Sequence, residues 1–151
     1  MSNFTYALEI ACRIHRDQTD KADAEYIFHC LAVAAMVDTT EEKIVAVLHD
    51  ALEDLEGTPM ELLALKDLIQ REFGQRVFEA VSALTKMPRG TESYDEYLDR
   101  VAANYIARKV KIADLTHNMD PRRIPSYQIV DTDFRRWDKY RKALIRLQRQ
   151  D

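Results

Sequence analysis

Glycine and proline are scarce in this chain, at three and four residues, which weighs against a turn-rich fold of many short strands. Cysteine is scarcer still. Cys12 and Cys30 form no CxxC pair, so neither a disulfide framework nor a zinc knuckle is expected, and both read as buried, reduced thiols in apolar helical patterns. No apolar run approaches the roughly 20 residues that cross a bilayer. The opening MSNFTYALEI also lacks a signal peptide's basic start, so a cytoplasmic setting without a membrane partner is expected. A general excess of positive charge is missing too: the net charge is -4, which argues against a nucleic-acid partner. The exception is local. Arg122, Arg123, Arg135, Arg136, Lys139, Arg141, Lys142, Arg146 and Arg149 face only Asp131, Asp133 and Asp138. That run reads as a solvated helix face, or as cations that steer a phosphorylated ligand.

What the chain has in quantity is helical periodicity. Apolar residues recur at the 3.6 period between short polar breaks, while β-branched stretches such as Ile44 to Val47 show no strand-like alternation. Residues 1–151 are therefore expected to be one all-α domain, a bundle of about seven to eight helices. Helices are predicted over Phe4 to Arg16, Tyr26 to Val37, Glu41 to Glu56, Thr58 to Gly74, Arg76 to Lys86, Ser93 to Ala107, Lys109 to Met119 and Asp133 to Gln150. Thr39 with Glu42, Thr58 with Glu61, and Ser93 with Glu96 have capping-box spacing. On the last helix, Phe134, Trp137, Leu144 and Leu147 lie roughly along one stripe.

The stretch from Ile44 to Leu55, IVAVLHDALEDL, concentrates the chemistry. Its apolar residues demand burial, yet His49, Asp50, Glu53 and Asp54 lie at its end. Buried carboxylates must be neutralised, hydrogen-bonded or bound to a cation. His29 and Asp114 are the other imidazole and carboxylate set in apolar helices. Taken singly, each is an ordinary hydrogen-bonded core residue. As a set, two imidazoles and two carboxylates suit Mn²⁺, Fe²⁺, Co²⁺ or Zn²⁺ better than Mg²⁺ or Ca²⁺. In KIADLTHN, Lys111 precedes Asp114 by one turn and Asn118 follows it by one. Lys111 reads as a surface partner for Asp114 or as a substrate contact, and the Asn118 amide as a contact for a substrate hydroxyl or a neighbouring ligand.

In that order, these residues resemble the HD-domain metal-dependent phosphohydrolases. Within them the chain is most similar to the hydrolase domain of the RelA/SpoT family, whose small stand-alone members include the metazoan SpoT homologue. The matching pieces are Ala11 to His15, YIFHCLAVA around His29, VLHDALED, FGQRVFEAVSALTK and KIADLTHN. The resemblance implies a helical bundle that holds one Mn²⁺ through His29, His49, Asp50 and Asp114. It makes Glu53 and Asp54 the catalytic acidic pair and Asn118 a nucleotide-sugar contact. The implied substrate is guanosine tetra- or pentaphosphate, which loses its 3′ pyrophosphate. One departure stands out: Asp20 occupies the place of the family's base-stacking arginine, leaving Lys21 as the nearest cation. Arg122 and Arg123, just past Asn118, are expected phosphate contacts or surface charges.

The expected partner is thus a small nucleotide or related phosphate ester, with the oligomeric state left open. The alternatives are a nucleotidase or NADPH-phosphatase-like HD hydrolase, a non-catalytic metal- or nucleotide-binding module, and a metal-free helical interaction protein.

Overall fold

The computed structural model describes residues 3–149, and among them helices account for all regular structure apart from one isolated bridge between Thr19 and Glu25. The order is α1 Asn3–Ile14, α2 Ile27–Ala35, α3 Thr40–Leu48, α4 Ala51–Asp54, α5 Pro59–Phe73, α6 Gln75–Leu84, α7 Tyr94–Ala102, α8 Tyr105–Asn118 and α9 Asp131–Gln148. Two 3-10 turns, Pro121–Arg123 and Ser126–Gln128, link α8 to α9. The all-α architecture is the one the periodicity predicts.

Helix starts follow local chemistry. Thr39, Thr58 and Ser93 each accept a bond from the backbone of Glu42, Glu61 or Glu96, whose carboxylate returns the contact to the capping backbone. These reciprocal bonds satisfy N–H groups that a helix leaves unpaired. Between α5 and α6 the chain turns at Gly74 with φ +88°, a conformation glycine adopts without the Cβ penalty.

The core is organised around α3. Ile44, Val45, Ala46, Val47 and Leu48 are all buried, enclosed by α1, α2, α6 and α8. Burial of each larger side chain stabilises the fold by roughly 1.5–3 kcal/mol relative to exposure. This apolar sheath fixes the end of α3, where His49 and Asp50 follow.

The single helix expected over Glu41 to Glu56 is instead broken. Asp50 has φ -105° and ψ 3°, and α4 is a separate short turn after it. In an unbroken helix, adjacent residues point in different directions. The break lets neighbouring His49 and Asp50 converge, with Nε2 and Oδ2 3.1 Å apart. A second break, at Ala103, separates α7 from α8, and the Asn104 side chain accepts from Ala107 N at 2.9 Å to start the new helix.

Arg100 fixes the connection after α6. Its guanidinium donates to the carbonyls of Ser82, Ala83 and Thr85 and to Glu92. The Tyr97 hydroxyl donates to Leu84 O at 2.8 Å. Together these bonds hold the turn that carries Lys86 against α4.

Helix α9 packs on α8 and α7 through Ala143 and Leu147, with Tyr140 and Leu144 beside them. Phe134, at the start of that apolar stripe, is 59% exposed. Asp133 takes the buried position next to it, and the Phe134 ring meets only the edge of Trp137 at 5.5 Å. Cys30 is buried, but Cys12 is exposed, since Ile10 and Ala11 already occupy the inner side of α1. No helix among the described residues is long and apolar enough to cross a membrane.

Candidate active site

Three helical regions bring His29, His49, Asp50 and Asp114 to one point. His29 comes from the first turn of α2, His49 and Asp50 from the break after α3, and Asp114 from the last turns of α8. Ligand atoms of His29, His49 and Asp50 lie within 4.8 Å of one another. Asp114 joins them through Oδ1, 2.9 Å from His29 Nε2 and 3.6 Å from His49 Nε2.

The cluster is chemically suited to a cation. His49 Nδ1 lies 2.6 Å from the carbonyl of Ala46, so it carries the proton. Its Nε2 is buried without a hydrogen bond and faces two carboxylates. A bare buried lone pair beside two acids fits a divalent metal better than a closed polar core. The field agrees. Burial alone would lower the His49 pKa, but Asp50 and Asp114 raise it well above the ordinary imidazole value. Positive charge is therefore favoured at Nε2.

Asp114 is the most heavily bonded member. Lys111 Nζ donates to Oδ2 at 2.8 Å, and Asn118 Nδ2 donates to Oδ1 at 2.8 Å. Burial would raise its pKa, but Lys111 and the two histidines hold it well below the usual carboxylate range. Lys111 is the expected i, i+3 partner, though buried and not on the surface. Asp50 accepts from the Tyr26 hydroxyl, a partner that sequence reading did not single out. One turn into α2 from Tyr26, the Nδ1 atoms of His29 and His117 are 2.7 Å apart. Burial, reinforced by Arg123, lowers the His117 pKa to about 4.

Beyond the break lie the two spare acids. Glu53 accepts from Lys86 N at 2.5 Å. Asp54 accepts from Gln18 Nε2 at 3.0 Å, and Gln18 is itself tied to His15 Nδ1 at 2.7 Å. Burial raises the pKa of both carboxyls, with the charge of Asp50 adding to it. They line a groove of about 770 Å³ that Arg13 and Arg16 also border. Acids with raised pKa values, next to a cation site and open to solvent, are equipped to exchange protons.

Tyr26 and Asn118, which bond Asp50 and Asp114, also line a cavity of about 160 Å³ together with Lys21, Arg123, Arg136 and Tyr140, among others. Three of the expected substrate residues line it: Lys21, Asn118 and Arg123. Lys111 and Arg122 do not. Lys111 is turned onto Asp114, and Arg122 folds back onto Asp120 at 2.8 Å. Arg123 donates to Asn118 Oδ1 at 2.7 Å and to Asp20 Oδ2 at 3.3 Å. Asp20 therefore draws in a guanidinium from a distant part of the chain. Arg136 is one of the cations of the basic C-terminal run, whereas Tyr140 is not singled out by the sequence, although its i, i+4 spacing from Arg136 puts the two on one helix face.

Comparison with known proteins points the same way. Residues 7–123 match the sequence profile of the HD domain. The chain is 35% identical over 121 residues to the guanosine-3′,5′-bis(diphosphate) 3′-pyrophosphohydrolase of Aquifex aeolicus (strain VF5), covering 76% of this chain and 16% of that protein. It is 31% identical over 125 residues to a probable GTP pyrophosphokinase of Mycobacterium leprae (strain TN), covering 75% of this chain and 15% of the relative. It thus spans about a sixth of the length of these curated relatives. A solved structure of a metazoan SpoT orthologue that hydrolyses ppGpp matches with a TM-score of 0.77 at 19% identity, over 99% of this chain and 86% of the other. That likeness shows a shared fold.

Proposed function

Since this chain belongs to the HD-domain family, we propose that it is a metal-dependent phosphohydrolase acting on a nucleotide. The leading substrate is guanosine 3′,5′-bis(diphosphate), and the reaction removes its 3′ pyrophosphate. The observation that carries this reading is the convergence of His29, His49, Asp50 and Asp114 beside two further acids. A structural metal site has no use for Glu53 and Asp54; a hydrolytic one does. The Aquifex aeolicus relative supports the choice of substrate. Two unpaired thiols accord with a cytoplasmic setting.

His29, His49, Asp50 and Asp114 would hold the ion; their mixed nitrogen and oxygen donors suit Mn²⁺, Fe²⁺, Co²⁺ or Zn²⁺, and the resemblance to the RelA/SpoT hydrolase domain is what points to Mn²⁺. The chemistry such an ion supplies is polarisation of a phosphoryl oxygen and a lowered pKa for water. Tyr26 holds Asp50, and Lys111 with Asn118 holds Asp114, so the carboxylates stay aimed inward. Glu53 or Asp54 takes the proton from the attacking water. As the new oxygen–phosphorus bond forms, the bond from phosphorus to the 3′ oxygen breaks, and the proton that the acid took from water is returned to the departing 3′ oxygen. Acid–base assistance of this kind contributes about 10²- to 10⁴-fold. Lys21, Arg123 and Arg136 line the adjoining cavity as counter-charges for the nucleotide's phosphates.

Assay of the purified chain with Mn²⁺ against guanosine tetraphosphate, NADPH and simple nucleotides tests this reading. Release of pyrophosphate from guanosine tetraphosphate is the expected outcome. Absence of turnover on every phosphate ester overturns it.

A further inference from the structure

His29 and His117 are linked in a way the reaction above leaves unexplained. Their Nδ1 atoms are 2.7 Å apart and their rings stack at 4.9 Å with an interplanar angle of 25°. Of two imidazole nitrogens this close, one must donate and the other accept. The opposite nitrogen of His29, Nε2, faces Asp114 within the cluster.

A histidine offers a lone pair at Nε2 only when its proton sits on Nδ1, and a buried N–H needs an acceptor. For His49 the acceptor is the carbonyl of Ala46. For His29, His117 is the hydrogen-bond partner of Nδ1 among the described residues. Helix α8 delivers it there. Asp114, His117 and Asn118 stand at i, i+3 and i+4 on one face, so the helix that brings the carboxylate also brings the ring. The opposite polarity has a different consequence. If His117 donated to His29, the His29 proton would sit on Nε2 and point at Asp114, and His29 would be a core residue with no lone pair for a cation.

We infer that His117 is the acceptor that fixes His29 in its Nδ1–H tautomer, and thereby sets how tightly the His29, His49, Asp50 and Asp114 cluster holds a divalent cation. His117 is then a positioning residue, and the inference rests on the metal reading given above.

Titration calorimetry with Mn²⁺ on the chelator-stripped chain tests it, with metal-free melting curves as the check on folding. H117F keeps a flat ring for stacking but offers no acceptor, so it should bind Mn²⁺ about 10- to 100-fold more weakly. H117N sets an amide oxygen near the position of Nδ1 and should regain most of that loss. An H117F affinity equal to the wild type, or an H117N affinity as weak as H117F, overturns the inference. If H117F fails to fold, nitrogen-15 NMR of the zinc-loaded wild type decides: a protonated His29 Nδ1 is expected, and a bare one is fatal to the idea. A wild-type chain that binds no divalent ion would overturn the metal reading itself and this inference with it. Wild-type binding with an indifferent H117F would remove only the role of His117.

Discussion

Asp114 reaches His49 across the bundle, its Oδ1 3.6 Å from the imidazole Nε2. The same carboxylate neutralises the buried ammonium of Lys111 at 2.8 Å. On the proposed metal reading, Asp114 therefore has two separable duties, one toward the cation and one toward the fold. D114A should lose divalent-metal binding and also lose about 3–5 kcal/mol of stability, because the Lys111 charge is left buried and alone. Adding K111M should restore much of the melting temperature and none of the metal. Metal analysis and thermal melts on both variants check this, and recovery of metal binding in the double variant would contradict it.

Much of this arrangement was legible in the sequence because it is local. The capping boxes at Thr39, Thr58 and Ser93 involve residues three apart, and all three form. The apolar pattern of Ile44 to Leu48 marks the central helix. Sequence spacing did not reveal the break at Asp50, because His49 and Asp50 each have acceptable helical neighbours and only their tertiary partners pull them together. Contacts such as Tyr26 with Asp50, or Arg123 with Asp20, join side chains from separate stretches, and nothing in either stretch names its partner. The exposure of Phe134 is likewise not legible in the sequence, because Asp133 beside it takes the buried position, where three donors meet its carboxylate.

In the proposed reaction, Glu53 and Asp54, which lie past the cluster, would serve the chemistry while the cluster serves the metal. E53A should leave Mn²⁺ affinity near the wild-type value while lowering turnover by about 10²- to 10⁴-fold. Because burial raises the pKa of both acids, their proton-accepting form is lost at a higher pH than for free carboxyls. Turnover in the wild type should therefore fall on acidification from above the usual carboxylate value of about 4. Calorimetry alongside a pH–rate profile decides, and loss of metal together with turnover in E53A would merge the two roles.

Away from the site, Glu42 makes the fold sensitive to acid. Its carboxylate accepts from Asp38 N at 2.8 Å, Thr39 N at 3.0 Å and Lys109 Nζ at 2.9 Å. Burial would raise its pKa, but these donors outweigh burial and hold it below the usual value. A carboxyl depressed in the folded state stabilises above its unfolded pKa, near 4.3, and that contribution is lost as pH falls through the folded value. E42Q should accordingly melt below the wild type at neutral pH. The gap should close on acidification below about pH 4, because the wild type is losing what the variant never had. A gap that stays constant with pH would place the role of Glu42 in packing and not in charge.

Asp133 ties the cavity wall together. Its buried carboxylate accepts from Lys21 of the first loop, from Arg136 NH2 at 2.5 Å and from Val130 N at 2.9 Å. Those contacts, the bond from Lys21 first, hold its pKa below the ordinary range, so it is ionised at neutral pH. D133N retains an oxygen for Val130 N, and the start of α9 should survive. It removes the charge that orients Lys21 and Arg136, the cations proposed to meet the nucleotide's phosphates. A charge-assisted hydrogen bond is worth about 1.5–3 kcal/mol, so loss of even one should raise KM for guanosine tetraphosphate roughly tenfold or more. Turnover at saturation should stay close to the wild type, because the acids and the metal cluster are untouched. A fall in kcat at unchanged KM would instead assign Asp133 to the reaction centre, and no change in either would free Lys21 and Arg136 from substrate binding.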